Sequence, residues 1–329
     1  MRKLAMIGCG GIGGYHLSNF LKLEEGLVDI VGFCDLIPER AEAFAKKAGK
    51  GKVFTDYKKM YDEVKPDMVF ICVPPYKHGE LDFETIERGI HLFVEKPIAL
   101  DLDLAKKIRD KIAEKNLVSA VGFQLRYDSL TCDIKNFVNN NNIITAQVSR
   151  ISGVPTVDWW RKRELSGGQL VEMSIHQMDL LRYFLGDVET VYSVPTTGFI
   201  KDSDIPGYDM DDVSTSVFTF NRGITGTMIT GCYDLESKCG WDSKITLGST
   251  ASTLDFHVAS DVKIHGTVNE EIRSAGDYGV KCDRTFIEAV ISGDTSKIRS
   301  PYCDAVKTLA FVLGCNESMK TGLPVKINI

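Results

Sequence analysis

The chain has 329 residues, 43% of them hydrophobic and 26% charged, an ordinary globular composition that excludes a disordered, collagenous or repeat-array protein. Its 39 Lys and Arg against 45 Asp and Glu leave a formal charge of -6, which offers no basic field to a polyphosphate backbone and argues against nucleic acid as a partner. At roughly 150 residues per domain, the length predicts two domains.

Up to about Gly122, short apolar runs alternate with amphipathic stretches, the pattern of βαβ units around a doubly wound parallel sheet. Strands are expected at 3–7, 27–34, 68–73, 91–95 and 118–122. Helices are expected at 12–23, 38–48, 57–64, 79–88 and 102–115, with Pro38 at a first helical position. Beyond this point the rhythm changes to helices at 129–139 and 168–185, strands at 213–221, 224–232 and 244–247, and closing helices at 280–291 and 304–320. In the last of these, Val306, Leu309 and Leu313 share one face. A mostly antiparallel sheet with flanking helices fits this half, so the expected domains are an α/β domain over 1–122 and an α+β domain over 123–329.

The nine Cys are an odd number without a C-x-x-C, and several lie inside apolar runs such as Phe70-Ile71-Cys72-Val73. They read as buried free thiols of a reducing compartment. No stretch approaches the roughly 18 unbroken apolar residues of a membrane span, so a soluble cytoplasmic protein with no membrane partner is expected.

Gly8-Cys9-Gly10-Gly11-Ile12-Gly13 matches G-x-G-x-x-G between an apolar strand and a helix. Its glycines serve a tight turn, the approach of a pyrophosphate to the helix N-terminus, and close packing of helix on strand. Asp35, 22 residues past Gly13, stands at the end of the second strand, where a carboxylate accepts hydrogen bonds from ribose hydroxyls and repels a 2'-phosphate. NAD is therefore favoured over NADP. Arg40 reads as a solvated arginine at a helix start, and nothing else in the chain points to the flavin dinucleotide that uses a similar turn.

Val94-Glu95-Lys96-Pro97 follows the fifth strand, at the carboxyl ends where an open parallel sheet binds its ligands. Lys96 there either projects toward the nicotinamide or is a surface lysine of a loop. In the second half Gly167-Gly168 feed a helical stretch in which Glu172 and His176, four residues apart, share a face extended by Asp179. That spacing alone leaves a structural and a catalytic reading of the histidine open. The five aspartates between Asp202 and Asp212 lack the twelfth-position glutamate of an EF-hand loop and read as a solvated acidic loop. With no H-E-x-x-H, no paired Cys/His spacing and no G-x-x-x-x-G-K-[ST], neither a metal nor a hydrolytic P-loop is expected.

Taken together, Gly8 to Gly13 with Asp35, Val73-Pro74 with His78 soon after, Glu95-Lys96-Pro97, and Gly167-Gly168 through Glu172, His176 and Asp179 resemble, in order and over nearly the whole chain, the glucose-fructose oxidoreductase, inositol dehydrogenase and MocA family. The resemblance implies an N-terminal Rossmann domain, a C-terminal α+β domain with a large open, mostly antiparallel sheet, and pyridine-nucleotide oxidation of a sugar or polyol carbinol. It implies a cofactor site of Gly8, Gly10, Gly11, Ile12, Gly13, Asp35, Val73, Pro74, His78, Glu95, Lys96 and Gln124. Lys96 and His176 match its catalytic lysine and histidine, with Glu172 where inositol dehydrogenases typically carry aspartate, so that the carboxylate reaches one methylene further. His176 is the expected base, Glu172 its orienting group and Lys96 the donor to the substrate oxygen; since members of the family divide the proton-transfer roles differently, the resemblance also allows Lys96 as the base and His176 as the donor.

Substrate contacts are expected from Lys96, Arg126, Trp160, Glu172, His176 and Tyr233. The pair Trp159-Trp160 suits the C–H face of a pyranose or core packing equally, Tyr233 is a substrate or a packing residue, and His78 shapes the nicotinamide pocket or a helix start. Two other functions fit the same fold: a glycosidase that retains NAD and oxidises transiently, and a non-catalytic NAD-binding regulatory protein. A homo-oligomer, dimer or tetramer, is expected because the family's open sheet commonly packs face to face.

Overall fold

In a computed structural model the described residues are 1–201, 203–236, 238, 240, 242–266 and 269–329; Asp202 and Cys239 of the sequence reading lie outside them. The chain divides into two compact units, Met1–Tyr127 with Asp277–Ala305, and Asp128–Gly276 with Val306–Ile329. The expected cut at 122 has no such return segment.

The first unit runs β1 (Arg2–Ile7), α1 (Gly11–Phe20), β2 (Val28–Cys34), α2 (Pro38–Ala48), β3 (Lys52–Phe54), α3 (Tyr57–Val64), β4 (Met68–Ile71), α4 (Glu80–Glu87), β5 (His91–Val94), α5 (Leu102–Glu114) and β6 (Ser119–Val121). Its six strands form a parallel sheet in the order β3-β2-β1-β4-β5-β6, so the chain reverses direction across the sheet between β1 and β4, the place where such folds bind nucleotides. All four residues of β4 are fully buried, as a central parallel strand covered on both faces requires. Local signals set the helix ends: Pro38 opens α2 and a left-handed Gly49 closes it, while Asp56 and Asp101 accept backbone N–H groups at the starts of α3 and α5. β3, absent from the sequence expectation, is a three-residue edge strand with Lys52 and Val53 exposed, too short to show a period.

The second unit contains α6 (Leu130–Asn140), β7 (Ile143–Gly153), α7 (Arg163–Ser166), α8 (Gln169–Glu172), α9 (Ile175–Leu185), β8 (Val188–Thr196), β9 (Val213–Phe220), β10 (Thr225–Asp234), β11 (Asp242–Ser249), β12 (Thr253–His257), β13 (Asp261–His265) and β14 (Glu270–Arg273). After these come α10 (Tyr278–Ser292), α11 (Tyr302–Thr321) and β15 (Val325–Lys326). The nine-stranded sheet has the order β14-β13-β12-β11-β7-β10-β9-β8-β15, with β7 and β10 parallel and the other neighbours antiparallel. Along β10, Gly226, Met228 and Thr230 are buried while Thr225, Thr227 and Ile229 are exposed, the alternation of a sheet covered on one face.

Two expectations change. The helix over 168–185 is broken into α8 and α9, and α11 buries Ala305, Thr308, Ala310, Phe311, Val312 and Cys315 besides Val306 and Leu309, so it is covered on more than one side. α10 returns to the first unit because its Cys282, Phe286, Ile287 and Val290 complete the core formed by Leu4, Leu17, Phe20, Phe70 and Phe93. Among the described residues eight cysteines are free, six of them buried and Cys132 and Cys303 exposed. Among the described residues no helix is long and apolar enough to cross a membrane.

Candidate active site

The dinucleotide turn joins β1 to α1. A Cβ on Gly8 would lie 2.2 Å from the Cys72 carbonyl oxygen, and one on Gly13 would lie 2.3 Å from the Gly8 carbonyl oxygen; Gly8 also holds φ +90, a region side chains disfavour. These two glycines pack the turn against β4 and close it on itself. Gly10 and Gly11 differ, because a Cβ on either meets no protein atom within 4 Å. No side chain caps α1 at Gly10, so the first-turn N–H groups and the helix dipole are directed at that open side, as an anionic pyrophosphate requires.

Asp35, at the end of β2, accepts from Cys9 N–H at 2.7 Å on Oδ2 and from Ile37 N–H at 2.9 Å on Oδ1. Each oxygen keeps a second lone pair for a ribose hydroxyl. Leu36 and Ile37 beside it are exposed and offer an apolar surface to a base. The Cys9 thiol, pushed up to about 12 by burial and by Asp35, is no nucleophile at neutral pH.

Glu95, an expected cofactor contact, has its carboxylate engaged by protein groups. Its carboxylate is buried and turned into the unit: Oε1 faces His16 Nε2 at 2.9 Å and accepts from Gln124 Nε2 at 2.8 Å, while Oε2 accepts the Lys96 N–H at 3.1 Å. A Cβ on Gly122 would sit 2.1 Å from Glu95 Oε1, so the space for this carboxylate exists because residue 122 is glycine. Lys96 follows at the carboxyl end of β5, half-buried. On the far side of His16, Nδ1 faces both Asp283 oxygens at 2.9 Å, and Asn19 donates to the same carboxylate at 2.8 Å. His16, Asn19 and Asp283 had no motif to announce them; the one available signal was a histidine on the sheet-facing side of the helix that follows the glycine turn.

Burial alone would push the His16 imidazole down, but Asp283 and then Glu95 outweigh it and raise its basicity to about 10. Burial raises Asp283 as well, an effect that His16 and Asn19 oppose. With carboxylate oxygens facing both ring nitrogens, the ring is an imidazolium. A base strengthened on folding stabilises the fold fully below its ordinary value of 6.5 and loses that contribution as pH rises through about 10. Burial holds the Cys9 and Cys34 thiols up near 12, and their influence begins only above their ordinary 9.0. Between 6.5 and 9.0, therefore, the Tm of the wild type should fall with pH more steeply than that of His16→Gln. Parallel melting curves for the two proteins across that interval would contradict the assignment.

Val73 and Pro74 lead from β4 into the turn that ends at His78. The histidine side chain is buried, its Nδ1 is 3.2 Å from Asp82, and Asp82 also accepts the Gly79 N–H at 2.7 Å at the start of α4. His78 thus serves the helix start through one nitrogen, while buried Nε2 has no hydrogen-bond partner among the described residues. An orphaned ring nitrogen and an open glycine turn are features that a bound dinucleotide satisfies. Arg126 is also buried. Its Nη2 pairs with Asp304 at 2.6 Å and its Nη1 donates to the Arg299 carbonyl at 2.6 Å, so the guanidinium braces the 299–304 segment, a structural task beside the expected substrate contact.

In the second unit Glu172 ends α8 and His176 is the second residue of α9, so they do not share a continuous helical face. The N–H groups of Met173 and Ser174 both donate to the Gln169 carbonyl, at 2.9 and 3.0 Å, and the Ser174 carbonyl then starts α9 by accepting from Gln177 and Met178. The Ser174 hydroxyl turns to Thr230 on β10 at 2.5 Å, which fixes the break. Glu172 is buried. Asp179 accepts from Thr308 of α11 at 2.7 Å and is a packing residue of α9.

The rings of Trp159 and Trp160 stack on each other with centroids 5.9 Å apart. Tyr233 is 41% exposed, its ring lying so close over Gly231 that a Cβ there would meet it at 2.8 Å. The acidic loop is not simply solvated: Asp211 and Asp212 are buried, the first paired with Arg163 at 2.7 Å and the second accepting the N–H groups of Phe199 and Ile200. No described group of three His, Cys, Asp or Glu residues is arranged to hold a metal ion.

A parallel sheet that reverses at an open glycine turn, followed by a separate open-sheet unit, is the architecture of a two-domain, NAD-binding Rossmann oxidoreductase. The profile of the oxidoreductase family with an NAD-binding Rossmann fold matches residues 2–123, and that of the GFO/IDH/MocA C-terminal domain matches residues 142–252. The chain belongs to the GFO/IDH/MocA family, and its first unit carries that family's NAD-binding Rossmann fold. It is similar to scyllo-inositol 2-dehydrogenase (NAD(+)) of Bacillus subtilis, 25% identical over 349 residues that span 99% of this chain and 96% of the relative. Myo-inositol 2-dehydrogenase of Thermotoga maritima is 26% identical over 331 residues, spanning 99% and 90%. The structure of a levoglucosan dehydrogenase with NADH and levoglucosan shares the fold over 100% of both chains, with a TM-score of 0.87 at 17% identity.

Proposed function

We propose that the protein is an NAD-dependent dehydrogenase of a secondary alcohol on a sugar, sugar derivative or inositol. The observation that carries the proposal is the buried Glu95, which holds the backbone of Lys96 at the carboxyl end of the Rossmann strand β5. When bound, NAD accepts the hydride of the carbinol carbon. The chain's own task is then to remove one proton and stabilise the oxygen that loses it. His176 takes the hydroxyl proton as general base, and Lys96 donates to the developing alkoxide. Glu172 orients His176 or accepts a neighbouring hydroxyl, while Trp160 and Tyr233 are the proposed apolar contacts of the sugar. The N-terminus of α1 holds the pyrophosphate and Asp35 the ribose. The inositol dehydrogenases among its relatives support the substrate class.

A panel of inositols, aldoses and glycosides followed by NADH absorbance tests this reading: NADH formation with one of them is expected. Sugar release from a glycoside without turnover of added NAD would favour the glycosidase. Failure of every member to be oxidised or cleaved would leave the regulatory reading.

The choice of NAD over NADP is assigned to Asp35. Asp35→Ser should weaken NAD and relieve the repulsion of a 2'-phosphate, so that the ratio of kcat/KM for NAD to that for NADP falls by about tenfold or more, the equivalent of one charge repulsion of about 1.4 kcal/mol. A wild type with the larger kcat/KM for NADP would contradict the assignment.

A further inference from the structure

His16 lies in the second turn of α1, the helix that closes the dinucleotide turn, and it is fully buried. Phe20 on the same helix, Phe70 on β4 and Phe93 on β5 surround it with ring centroids 6.3, 5.3 and 5.1 Å away. In this apolar shell an ion pair is little screened, and a carboxylate that lost its partner would be left charged and buried. The groups that face the ring are Asp283 from α10, Glu95 from the end of β5 and Tyr15 beside it on α1. Behind the two carboxylates stand Asn19, Gln124 and the thiols of Cys72 and Cys282, which burial holds protonated.

The contacts of Glu95 give the arrangement a direction. One oxygen is held by His16 and Gln124, and the other is left to receive the N–H of Lys96. Residue 122, being glycine, leaves the room that this carboxylate fills, and His16 and Gln124 hold it in that orientation.

We propose that His16 is a positioning residue for Lys96: its bridge from Asp283 to Glu95 locks the backbone of the lysine's loop to the helix that carries the pyrophosphate turn. The inference rests on the reading of Lys96 as the donor to the substrate oxygen. It assigns one residue two mechanical duties, since the element that receives the cofactor phosphates is also the element that sets the lysine.

Two variants, His16→Gln and Asp283→Asn, are measured with NAD and the best substrate of the panel, with NADH affinity read from quenching of protein fluorescence. His16→Gln should lower kcat by about 10- to 100-fold, the usual effect of a displacement near 1 Å at a reacting group, while the Kd for NADH stays within about threefold. Asp283→Asn keeps the Glu95 contact and removes one of the two charges that favour the protonated ring. The alkaline fall in kcat that follows loss of the His16 proton should then move to lower pH, read at a temperature well below the Tm. A purely structural histidine would shift the Tm and leave that limb where it is.

A folded His16→Gln with wild-type kcat, or a superimposable pH profile in Asp283→Asn, would overturn the proposal; if His16→Gln does not fold, the second variant decides alone. Lys96→Met in the same assays separates the two levels. Normal turnover by that variant removes the lysine's role and this proposal with it, whereas an inactive Lys96→Met beside a fully active His16→Gln removes the positioning role alone.

Discussion

Lys96→Met is expected to lose about 100- to 1,000-fold in kcat while its NADH affinity stays within about threefold of the wild type. The loss is that of one positioned charged donor to an oxygen that becomes more negative in the transition state. Methionine keeps the length and apolar stem of the side chain without the ammonium. Because Glu95 holds residue 96 through the backbone N–H, the loop survives the exchange. A fall in kcat with an equal fall in kcat/KM marks an interaction made in the transition state, and a rise in KM alone would mark simple substrate binding. Near-normal turnover would remove Lys96 from the chemistry.

The second large effect is expected at the glycine turn, where two substitutions of the same size should behave differently. Gly8→Ala places a Cβ 2.2 Å from the Cys72 carbonyl oxygen at φ +90, so β4 and the turn must part. Both the Tm and the NADH affinity should fall, the fold by at least about 1 kcal/mol. Gly10→Ala meets no protein atom within 4 Å and has φ -85, which alanine adopts readily. Its Tm should stay at the wild-type value while NADH affinity drops by about tenfold or more, since the added methyl occupies the approach to the pyrophosphate. Undiminished NADH binding by Gly10→Ala would place the phosphates elsewhere.

Much of the first unit is legible because its signals are local. Pro38 and Gly49 bracket α2, and the apolar run Met68–Ile71 marks a strand with both faces covered. The parallel sheet is legible in the alternation of apolar runs with amphipathic stretches, and the expected dinucleotide turn in the glycine motif with Asp35. The break between Glu172 and His176 is not legible, since it depends on Ser174 reaching Thr230, 56 residues away, and Met173 is a good helix former. The inward turn of Glu95 is hidden for the same reason: its partner His16 is held in turn by Asp283, 267 residues further along the chain. The Glu-Lys-Pro run marks the place but not the division of labour within it. Of the described aspartates of the acidic loop Asp204 and Asp209 are exposed as expected, but Asp211 and Asp212 are buried, because composition cannot tell a solvated carboxylate from one that pairs with an arginine or caps backbone N–H groups.

In the proposed reaction a hydride leaves the carbinol carbon of the substrate for the nicotinamide. This transfer is tested most directly by deuterating the best substrate of the panel at that carbon and measuring the mass of the NADH formed. The expected result is NADH carrying the substrate's deuterium, with a slowed chemical step in the first turnover. Unlabelled NADH, or cleavage of a glycoside with no labelled NADH released to solution, would contradict it.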